Sequence, residues 1–302
     1  MKILVHHWDA FTKQPGKGNP AGIVLETRKL TDTQMQAVAK VIGFNDTAFV
    51  LPSDKAEFRI RYFAPNREVE LCGHATIAAF SALFKSGRLR VSGQQQSYTL
   101  ETKAGIISIG FLEADKDLPM IVMNQGKARF AKFNGEREVL AHAIGIEVSE
   151  FHPTLPVIYG STGRWTLLVP VKNLKVMQTM IPATDQFENI TTEIPGASIH
   201  PFCLETIDLH AQVHARHFSS PGSGTIEDAV TGTASGVLSA YYHQFIKALD
   251  ASEQPLVIEQ GYEVGREGIV HVWTSLQGDD HIVSIAGNAC FAGDIEIDLL
   301  DA

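Results

Sequence analysis

One sequence pattern occurs twice in this chain, about 155 residues apart, and it limits what the chain can fold into. In the first copy, residues 61–65 read RYFAP and residues 71–79 read LCGHATIAA. In the second copy, residues 216–221 read RHFSSP and residues 230–240 read VTGTASGVLSA. Each copy predicts a strand end with an aromatic residue, a loop, a Gly-x-Ala turn and a helix of small apolar residues. Such a repeat favours two similar halves, and two unrelated turn-to-helix junctions are the alternative.

The repeat also predicts two helix N-termini, one in each half, that face a common cleft. The first N–H groups of a helix have no partner within that helix, and together with the helix dipole they bind anions. We therefore expect a small anionic ligand, such as a carboxylate, to lie where the two helices begin.

The composition excludes several other classes of protein. A chain of 302 residues that is 44% hydrophobic and 20% charged fits a well-packed soluble protein of two domains. The formal net charge of −9 argues against a nucleic-acid partner, since phosphate binding needs clustered Lys and Arg. We expect no membrane partner, because no apolar stretch is long enough for a transmembrane helix. The N-terminus lacks a signal-peptide pattern and three cysteines make no disulfide framework, so a cytoplasmic protein is expected.

Short turns, rather than regular crossover helices, are predicted to join the strands. Helices are predicted at 31–42, 74–84, 233–248 and within 171–195. Strands are predicted at 2–8, 21–25, 47–51, 57–63, 98–111, 119–123, 156–159, 165–169, 211–218, 255–259, 268–273 and 281–286. Two of the helices, 74–84 and 233–248, are apolar nearly all round, which is typical of burial on every side. The pattern predicts an α+β fold of two pseudo-symmetric domains, each a curved mixed or antiparallel sheet around a central apolar helix.

Three polar residues of the sequence are candidates for proton transfer. Asp228 lies just before the second apolar helix, whose dipole would position a basic carboxylate, although a helix-capping acid is the alternative. His74 begins the first apolar helix, where its ring can shuttle a proton near neutral pH, and a core histidine bonded to a backbone carbonyl is the alternative. Asp46 lies between a helix and a strand without an ion partner nearby in sequence, which also fits an ordinary loop acid.

Cys72 directly precedes the first apolar helix, and a helix N-terminus lowers the pKa of a thiol. A small buried hydrophobe is the alternative, and because the second copy has Thr231 at the matching position, a two-thiol mechanism is not expected. No metal site is predicted: no CxxC pair occurs, and His6 and His7 on one strand would point to opposite faces. Residues 16–22 do not form a dinucleotide-binding fingerprint, so no nucleotide cofactor is predicted.

Eight segments of the chain, some of them within the repeat, together match the motifs of a known protein family. They are residues 9–12, 18–22, 46–50, 61–63, 72–76, 227–234, 260–261 and 265–268. On these segments, the chain resembles the phenazine-biosynthesis isomerase-like (PhzF-like) family, which shares the diaminopimelate epimerase fold. The resemblance covers nearly the whole chain.

The resemblance implies a cofactor-independent isomerase or epimerase that moves a proton on a small carboxylic acid. It implies catalytic roles for Asp46, His74 and Asp228, and it implies substrate binding by Asn19, Gly73, Gly232 and Thr233. It also implies a homodimer. The expected domains are residues 1–116 with 288–302 and residues 117–287, with the active site in the cleft between them.

Two residues depart from the family pattern. The family has Glu, in a Ser-Glu-Thr-Ala-Phe context, where this chain has Asp46. The Asp side chain keeps the acid but is one methylene shorter, so its oxygens withdraw by roughly 1–1.5 Å. A misplacement of about 1 Å can cost on the order of 10²-fold in rate. Ala229 also replaces the usual Pro, which loosens that loop and frees an N–H group.

Two other hypotheses follow from the same residues. A catalytically inactive member that binds a small anionic metabolite, as a sensor or interaction protein, would account for the change from Glu to Asp46. The other hypothesis is a racemase that uses the single thiol of Cys72. Exchange of a substrate proton with solvent would distinguish an enzyme from the inactive binding protein, and a Cys72→Ser substitution tests the racemase.

Overall fold

The computed structural model describes residues 1–27, 30–90, 97–112, 118–221, 223, 225–248 and 254–299. The chain divides into two compact units. Unit 1 comprises Met1–Asn124 and Ala286–Ala302, and unit 2 comprises Gln125–Ile285. The domain boundary predicted between residues 116 and 117 lies outside the described residues.

The regular elements follow one another along the chain as follows. The strands are β1 (Lys2–Ala10), β2 (Asn19–Val24), β3 (Asp46–Leu51), β4 (Phe58–Ala64), β5 (Arg67–Val69), β6 (Ser97–Thr102), β7 (Gly105–Leu112), β8 (Met120–Lys127), β9 (Arg129–Lys132), β10 (Ile158–Ser161), β11 (Trp165–Pro170), β12 (Ser198–Cys203), β13 (Val213–Ala215), β14 (Leu256–Gln260), β15 (Gly268–Gln277), β16 (Asp280–Gly287) and β17 (Ala289–Asp298). The α-helices are α1 (Asp32–Ile42), α2 (Gly73–Lys85), α3 (Arg137–Ile144), α4 (Leu174–Thr179), α5 (Phe187–Ile190) and α6 (Gly232–Phe245). Short 3-10 helices cover Val148–Glu150, Thr184–Gln186 and Tyr262–Val264.

The two units repeat one order of strand pairings. In unit 1, β1 is antiparallel to β17 and β2, β2 is parallel to β3, β3 is antiparallel to β4, β4 is parallel to β6, and β6 is antiparallel to β7. In unit 2, β10 is antiparallel to β9 and β11, β11 is parallel to β12, β12 is antiparallel to β13, β13 is parallel to β14, and β14 is antiparallel to β15. The predicted α+β class with two pseudo-symmetric halves and mixed sheets is therefore confirmed.

The connections differ from the sequence prediction in one respect. Each parallel pair of strands is joined by a crossover that contains a helix: α1 joins β2 to β3, α2 joins β4 to β6, α4 and α5 join β11 to β12, and α6 joins β13 to β14. Parallel strands need such crossovers because a tight turn cannot bring the chain back in the same direction. The prediction of short turns holds only for antiparallel neighbours such as β6 and β7.

A buried helix lies at the centre of each unit, as the sequence predicted. In α2, every residue from His74 to Leu83 is buried, and the helix contacts β1, β2, β3 and β17. In α6, residues Ala234 to Tyr241 are buried, and the helix contacts β10 and β15. Small side chains permit this close approach: a Cβ atom on Gly160 of β10 would come within 2.6 Å of Val237 in α6. Apolar residues on every face thus match a helix that is covered on every face.

The repeated strand ends also share one side-chain arrangement. Arg61 Nε donates to Glu68 at 2.7 Å, and its guanidinium lies 5.1 Å from the centre of the Phe63 ring. Arg216 donates to both carboxylate oxygens of Glu227, at 2.9 and 2.7 Å, and lies 4.9 Å from the Phe218 ring. The sequence repeat is therefore a structural repeat down to its ion pair and its cation–π contact.

Several elements were not predicted and one was predicted wrongly. No strand or helix was predicted at β5, β9, α3 or β12, and the single strand predicted at 98–111 is the hairpin β6–β7. The hairpin turns just before Gly105, whose φ of 125° suits glycine. All six residues of β12 are buried, so the strand lacks the alternation that marks a half-exposed strand, and it also contains Pro201.

Candidate active site

The structure brings Asp46, Cys72 and His74 together in unit 1, and we call this group the α2 cluster. Cys72 Sγ donates a hydrogen bond to Asp46 Oδ2 at 3.1 Å and lies 3.3 Å from His74 Nδ1. His74 Nε2 lies 3.9 Å from the same Asp46 oxygen. A carboxylate, a thiol and an imidazole thus share one small volume, with the thiol hydrogen-bonded to the carboxylate.

Local structure explains why these three residues meet. Asp46 is the first residue of β3, which follows the end of α1 at Gly43, a left-handed residue with φ of 70°. Cys72 is the extended residue that precedes α2, and His74 lies in the first turn of that helix. The cluster therefore sits at a helix N-terminus, where the first N–H groups, including that of Gly73, have no acceptor within the helix.

Two hydrogen bonds hold the start of α2, one within the helix and one from β4. Thr76 Oγ1 donates to the Cys72 carbonyl at 2.6 Å, and the Tyr62 hydroxyl lies 2.6 Å from Thr76 Oγ1. Tyr62 is fully buried, and that burial raises the pKa of its phenol, with a further rise from the nearby Cys72 and Asp46 groups. Tyr62 therefore stays protonated and acts as a support for the cluster.

The exposure of the cluster is uneven. The His74 side chain is 9% exposed and the Asp46 side chain is 16% exposed, whereas fully buried neighbours such as Tyr62 have no exposed surface. The Asp46 side chain thus keeps some exposed surface, while most of the imidazole is covered. This arrangement suits proton transfer to a bound substrate, because it limits access of bulk water.

Asn19 is buried at the start of β2, close in the sheet to the cluster. Ala21, two residues further along β2, pairs with Asp46 in β3. The entry into this strand depends on Gly18, whose φ is 62° and whose added Cβ would lie 2.2 Å from the Ala10 carbonyl oxygen. Asn19 is thus held firmly on the strand that neighbours the catalytic candidate.

Buried Asp9 holds the loop before Asn19, a role that the sequence did not suggest. Its Oδ2 accepts from the Gly16 N–H at 2.7 Å, and its Oδ1 lies 3.0 Å from His7 Nε2. The only sequence indication was its place in the segment 9–12 that resembles the family.

In unit 2, Asp228, Thr231 and Gln260 form a hydrogen-bonded group that we call the α6 cluster. Thr231 Oγ1 donates to Asp228 Oδ2 at 2.5 Å, Thr231 N donates to Gln260 Oε1 at 3.2 Å, and Gln260 Nε2 donates to the Asp228 carbonyl at 2.8 Å. Thr231 is the extended residue before α6, so Gly232 and Thr233 are the first two residues of that helix. The Thr233 carbonyl accepts from Thr162 Oγ1 at 3.2 Å.

A buried histidine pair, which the sequence analysis missed, lies beside the α6 cluster. His217 Nδ1 and His200 Nδ1 are 3.2 Å apart, and the His217 carbonyl accepts from the Asp228 N–H at 2.9 Å. Burial lowers the pKa of His200 well below its usual value and lowers that of His217 to about 4, although the Asp228 charge opposes the second shift. Both rings are therefore neutral near pH 7, and one shares its Nδ1 proton with the other.

The predicted site residues thus fall into two groups. Asn19, Asp46, Gly73 and His74 belong to unit 1, and Asp228, Gly232 and Thr233 belong to unit 2. The three side chains of the α2 cluster are also of the kind that binds metal ions, since their donor atoms all lie within 4.8 Å of one another. Sequence spacing could not reveal this set, because Asp46 is distant in the chain from the other two residues.

No helix among the described residues is both long enough and apolar enough to cross a membrane.

Comparison with known protein families gives a consistent result. A family model described as "Phenazine biosynthesis-like protein" (PhzC-PhzF) matches residues 8–293. "Uncharacterized isomerase YfhB" of Bacillus subtilis (strain 168) is 42% identical over 285 residues, which cover 94% of this chain and 95% of that protein. "Uncharacterized isomerase YddE" of Escherichia coli (strain K12) is 32% identical over 293 residues, which cover 96% of each chain.

Solved structures extend the likeness to the fold. The crystal structure of a Bacillus anthracis phenazine biosynthesis protein of the PhzF family is 45% identical and superposes with a TM-score of 0.95, covering 99% of this chain and 100% of that one. A probable proline racemase from Agrobacterium radiobacter K84 superposes with a TM-score of 0.64 at 13% identity, covering 98% of this chain and 93% of that one. At that identity, the racemase is similar in fold alone.

Proposed function

Since the chain belongs to the phenazine biosynthesis-like (PhzC-PhzF) protein family and is an isomerase, we propose that it transfers a proton on a small carboxylic acid without a cofactor.

The α2 cluster is the observation that carries this proposal. It combines a partly exposed carboxylate, a nearly buried imidazole and the N-terminus of a buried helix. Proton transfer from a C–H bond next to a carboxylate needs a base, a proton donor and a site for the negative charge. Asp46, His74 and the first N–H groups of α2 meet these three needs with residues of this chain.

The proposed reaction follows from these positions. The substrate carboxylate accepts hydrogen bonds from the first N–H groups of α2, including that of Gly73. Asp46 takes a proton from carbon, and the negative charge that develops on the substrate is stabilised by the same donors. Asp46 then returns its proton to another carbon, or His74 delivers a proton to the other face and is reprotonated by the proton that Asp46 gives up. In both cases the enzyme regains its starting protonation. General acid–base catalysis of this kind contributes about 10²–10⁴-fold in rate.

Cys72 acts on the carboxylate in this proposal and does not act as the base. Its thiol donates to Asp46 Oδ2 at 3.1 Å, which orients the carboxylate. A thiol that already donates to the acid beside it is not arranged as an independent base. We therefore favour acid–base catalysis by Asp46 over a one-thiol racemase.

The roles of the remaining predicted residues rest on the repeat. Asp228, Gly232 and Thr233 stand in the second copy where an acid and a helix N-terminus recur, and we propose that they bind the substrate and assist proton transfer. Asn19 on β2 is proposed to contact the substrate beside Asp46. The family resemblance carries the further proposal of a homodimer, which light scattering after size-exclusion chromatography tests. A cytoplasmic location is also proposed, because the three cysteines make no disulfide framework.

Proton NMR in D₂O tests the proposed function. Small amino acids, hydroxy acids and dihydro-aromatic carboxylic acids are incubated with the protein, and deuterium is expected to appear at one carbon of one compound. Asp46→Asn is expected to abolish this exchange while the compound still binds, as measured by thermal shift. Cys203→Ser is the matched control. Binding without exchange in any compound would overturn the proposal and favour an anion-binding protein.

A further inference from the structure

The α2 cluster offers three different donor atoms that lie at metal-binding distances from one another. Sγ of Cys72, a nitrogen of His74 and a carboxylate oxygen of Asp46 all lie within 4.8 Å of each other. The Sγ–Oδ2 distance is 3.1 Å, the Sγ–Nε2 distance is 3.8 Å and the Nε2–Oδ2 distance is 3.9 Å.

These separations are close to those of a tetrahedral zinc site. Bond lengths of about 2.3 Å to sulfur and about 2.0–2.2 Å to nitrogen or oxygen place the donor atoms of such a site roughly 3.3–3.6 Å apart. Each observed distance departs from that range by only a few tenths of an ångström, which small rotations of Asp46 and His74 can supply.

The chemistry of the donors selects the ion. A thiolate and an imidazole prefer borderline or soft ions such as Zn²⁺, whereas Mg²⁺ and Ca²⁺ prefer oxygen ligands alone. Three protein ligands leave one tetrahedral position for water or for a substrate carboxylate.

We propose that Zn²⁺ binds Asp46, Cys72 and His74 and thereby reversibly inhibits the isomerase. Binding exchanges water ligands of the ion for the three side chains, and the Cys72 thiol releases its proton to solvent as the Zn–S bond forms. The bound ion occupies the lone pairs of Asp46 and His74 that would otherwise accept protons. The inhibition arm of this proposal rests on the proposed function, whereas the binding arm does not.

The second copy of the repeat provides a comparison within the molecule. The residues that match Cys72 and His74 are Thr231 and Thr233, and Asp228 supplies the carboxylate beside Thr231. Hydroxyl groups therefore stand where the α2 cluster has sulfur and nitrogen. Hydroxyl groups are poor ligands for Zn²⁺. The copy in unit 2 is therefore expected to leave the stoichiometry at one ion per chain.

Cobalt and zinc titrations test the binding arm without any substrate. Titration of the reduced protein with Co²⁺ is expected to give one equivalent of a tetrahedral complex with a thiolate-to-cobalt charge-transfer band, and Zn²⁺ should displace it. Cys72→Ser should abolish the band and weaken Zn²⁺ binding in calorimetry by more than about 100-fold, which exceeds the roughly 10–100-fold cost of a lost outer contact. His74→Gln should retain the sulfur band with weaker affinity.

Control variants and an inhibition assay complete the test. Cys203→Ser and Cys290→Ser alter the other cysteines of the chain and should leave both titrations unchanged. Zn²⁺ affinity that is unaltered in folded Cys72→Ser, or a band lost in Cys203→Ser instead, would overturn the site. Once a substrate is known, the inhibition constant should equal the zinc dissociation constant, and a chelator should restore activity. Full activity with zinc bound would overturn the inhibition, and absence of isomerase activity with intact zinc binding would overturn only the proposed function.

Discussion

The starts of α2 and α6 share a scaffold but differ in chemistry. Both follow an Arg-x-Phe strand end with an Arg–Glu ion pair, and both begin after an extended residue without a side-chain cap. In unit 1 the extended residue is Cys72, hydrogen-bonded to Asp46. In unit 2 it is Thr231, hydrogen-bonded to Asp228. The backbone of the repeat is the same in both copies, but a thiol and an imidazole lie beside the carboxylate in unit 1, whereas a hydroxyl and an amide lie beside it in unit 2.

The largest expected difference between the copies is catalytic. Asp46→Asn should lower the rate of substrate deuteration by about 10³-fold or more, because it removes the base, within the usual range for acid–base groups. Asp228→Asn keeps an oxygen that can accept from Thr231 and should cost only about tenfold. Deuteration rates by NMR measure both variants at matched saturation. Equal losses would mean that the two copies share the proton transfer.

The next largest expected difference is in how much the Arg–Glu ion pair of each copy contributes to the stability of the protein. The side chains of Arg216 and Glu227 are 6% and 7% exposed, whereas those of Arg61 and Glu68 are 15% and 21% exposed. Arg216→Ala leaves a buried charge without its partner and should cost about 3–5 kcal/mol. Arg61→Ala should cost about 1 kcal/mol, as partly exposed pairs do.

Urea unfolding measures these two losses of stability. The double variant Arg216→Met with Glu227→Leu serves as control, because it removes both charges and should recover much of the loss. Similar costs for the two arginines would contradict the assignment of the deeper pair to unit 2.

Acid should affect the second copy through His217, which stands where the first copy has Tyr62. Burial lowers the pKa of His217 from 6.5 to about 4, so the unfolded chain binds this proton more readily than the folded chain. Stability is therefore fully present above pH 6.5 and declines as the pH falls towards about 4, by up to roughly 3 kcal/mol. His217→Gln should show a flatter stability profile over that range of pH in urea titrations.

His214, in the same unit, serves as a control because its contribution to stability should depend on pH in the opposite direction. It lies between Glu259 at 2.7 Å and Glu263 at 3.0 Å, and these carboxylates raise its pKa against the effect of burial. Its contribution is thus present below pH 6.5 and is lost as the pH rises through the folded pKa. His214→Gln should therefore flatten the neutral limb of the profile, and an unchanged acid limb in His217→Gln would refute the assignment to His217.

The smallest expected effect concerns Tyr62, the support of the α2 cluster. Tyr62→Phe removes the hydrogen bond to Thr76 and leaves the rest of the ring in place, so it should cost about 1 kcal/mol in urea unfolding. The deuteration rate should fall by less than about threefold. A loss as large as that of Asp46→Asn would show that Tyr62 takes part in the chemistry.

The sequence revealed the features that depend on local pattern. The glycine turns and the apolar faces of α2 and α6 predicted both central helices and the repeat, because a helix covered on all sides needs small apolar residues all round. The buried strand β12 gave no such pattern, since burial on both faces removes the alternation that identifies a strand.

Contacts between side chains that are distant in the sequence were harder to predict. Asp46 and His74 were candidates individually, but the hydrogen bond between Asp46 and Cys72 joins residues 26 positions apart and follows only from the pairing of β2, β3 and β4 around α2. The contact between His200 and His217 likewise depends on strand packing. Neither contact has a local sequence pattern, and both arise from tertiary structure.

The pairing of β1 with β17 has a consequence for the order in which the chain folds during synthesis. Lys2 pairs with Asp298 and Ala10 with Ala289, so the first strand of unit 1 waits for a strand that is synthesised after the whole of unit 2. Unit 2 is continuous in sequence, from Gln125 to Ile285, and all its strands are available earlier. Until β17 arrives, β1 has an unpaired edge that invites association with other chains. The second half of this protein can therefore be complete while the half that carries the α2 cluster still lacks a strand.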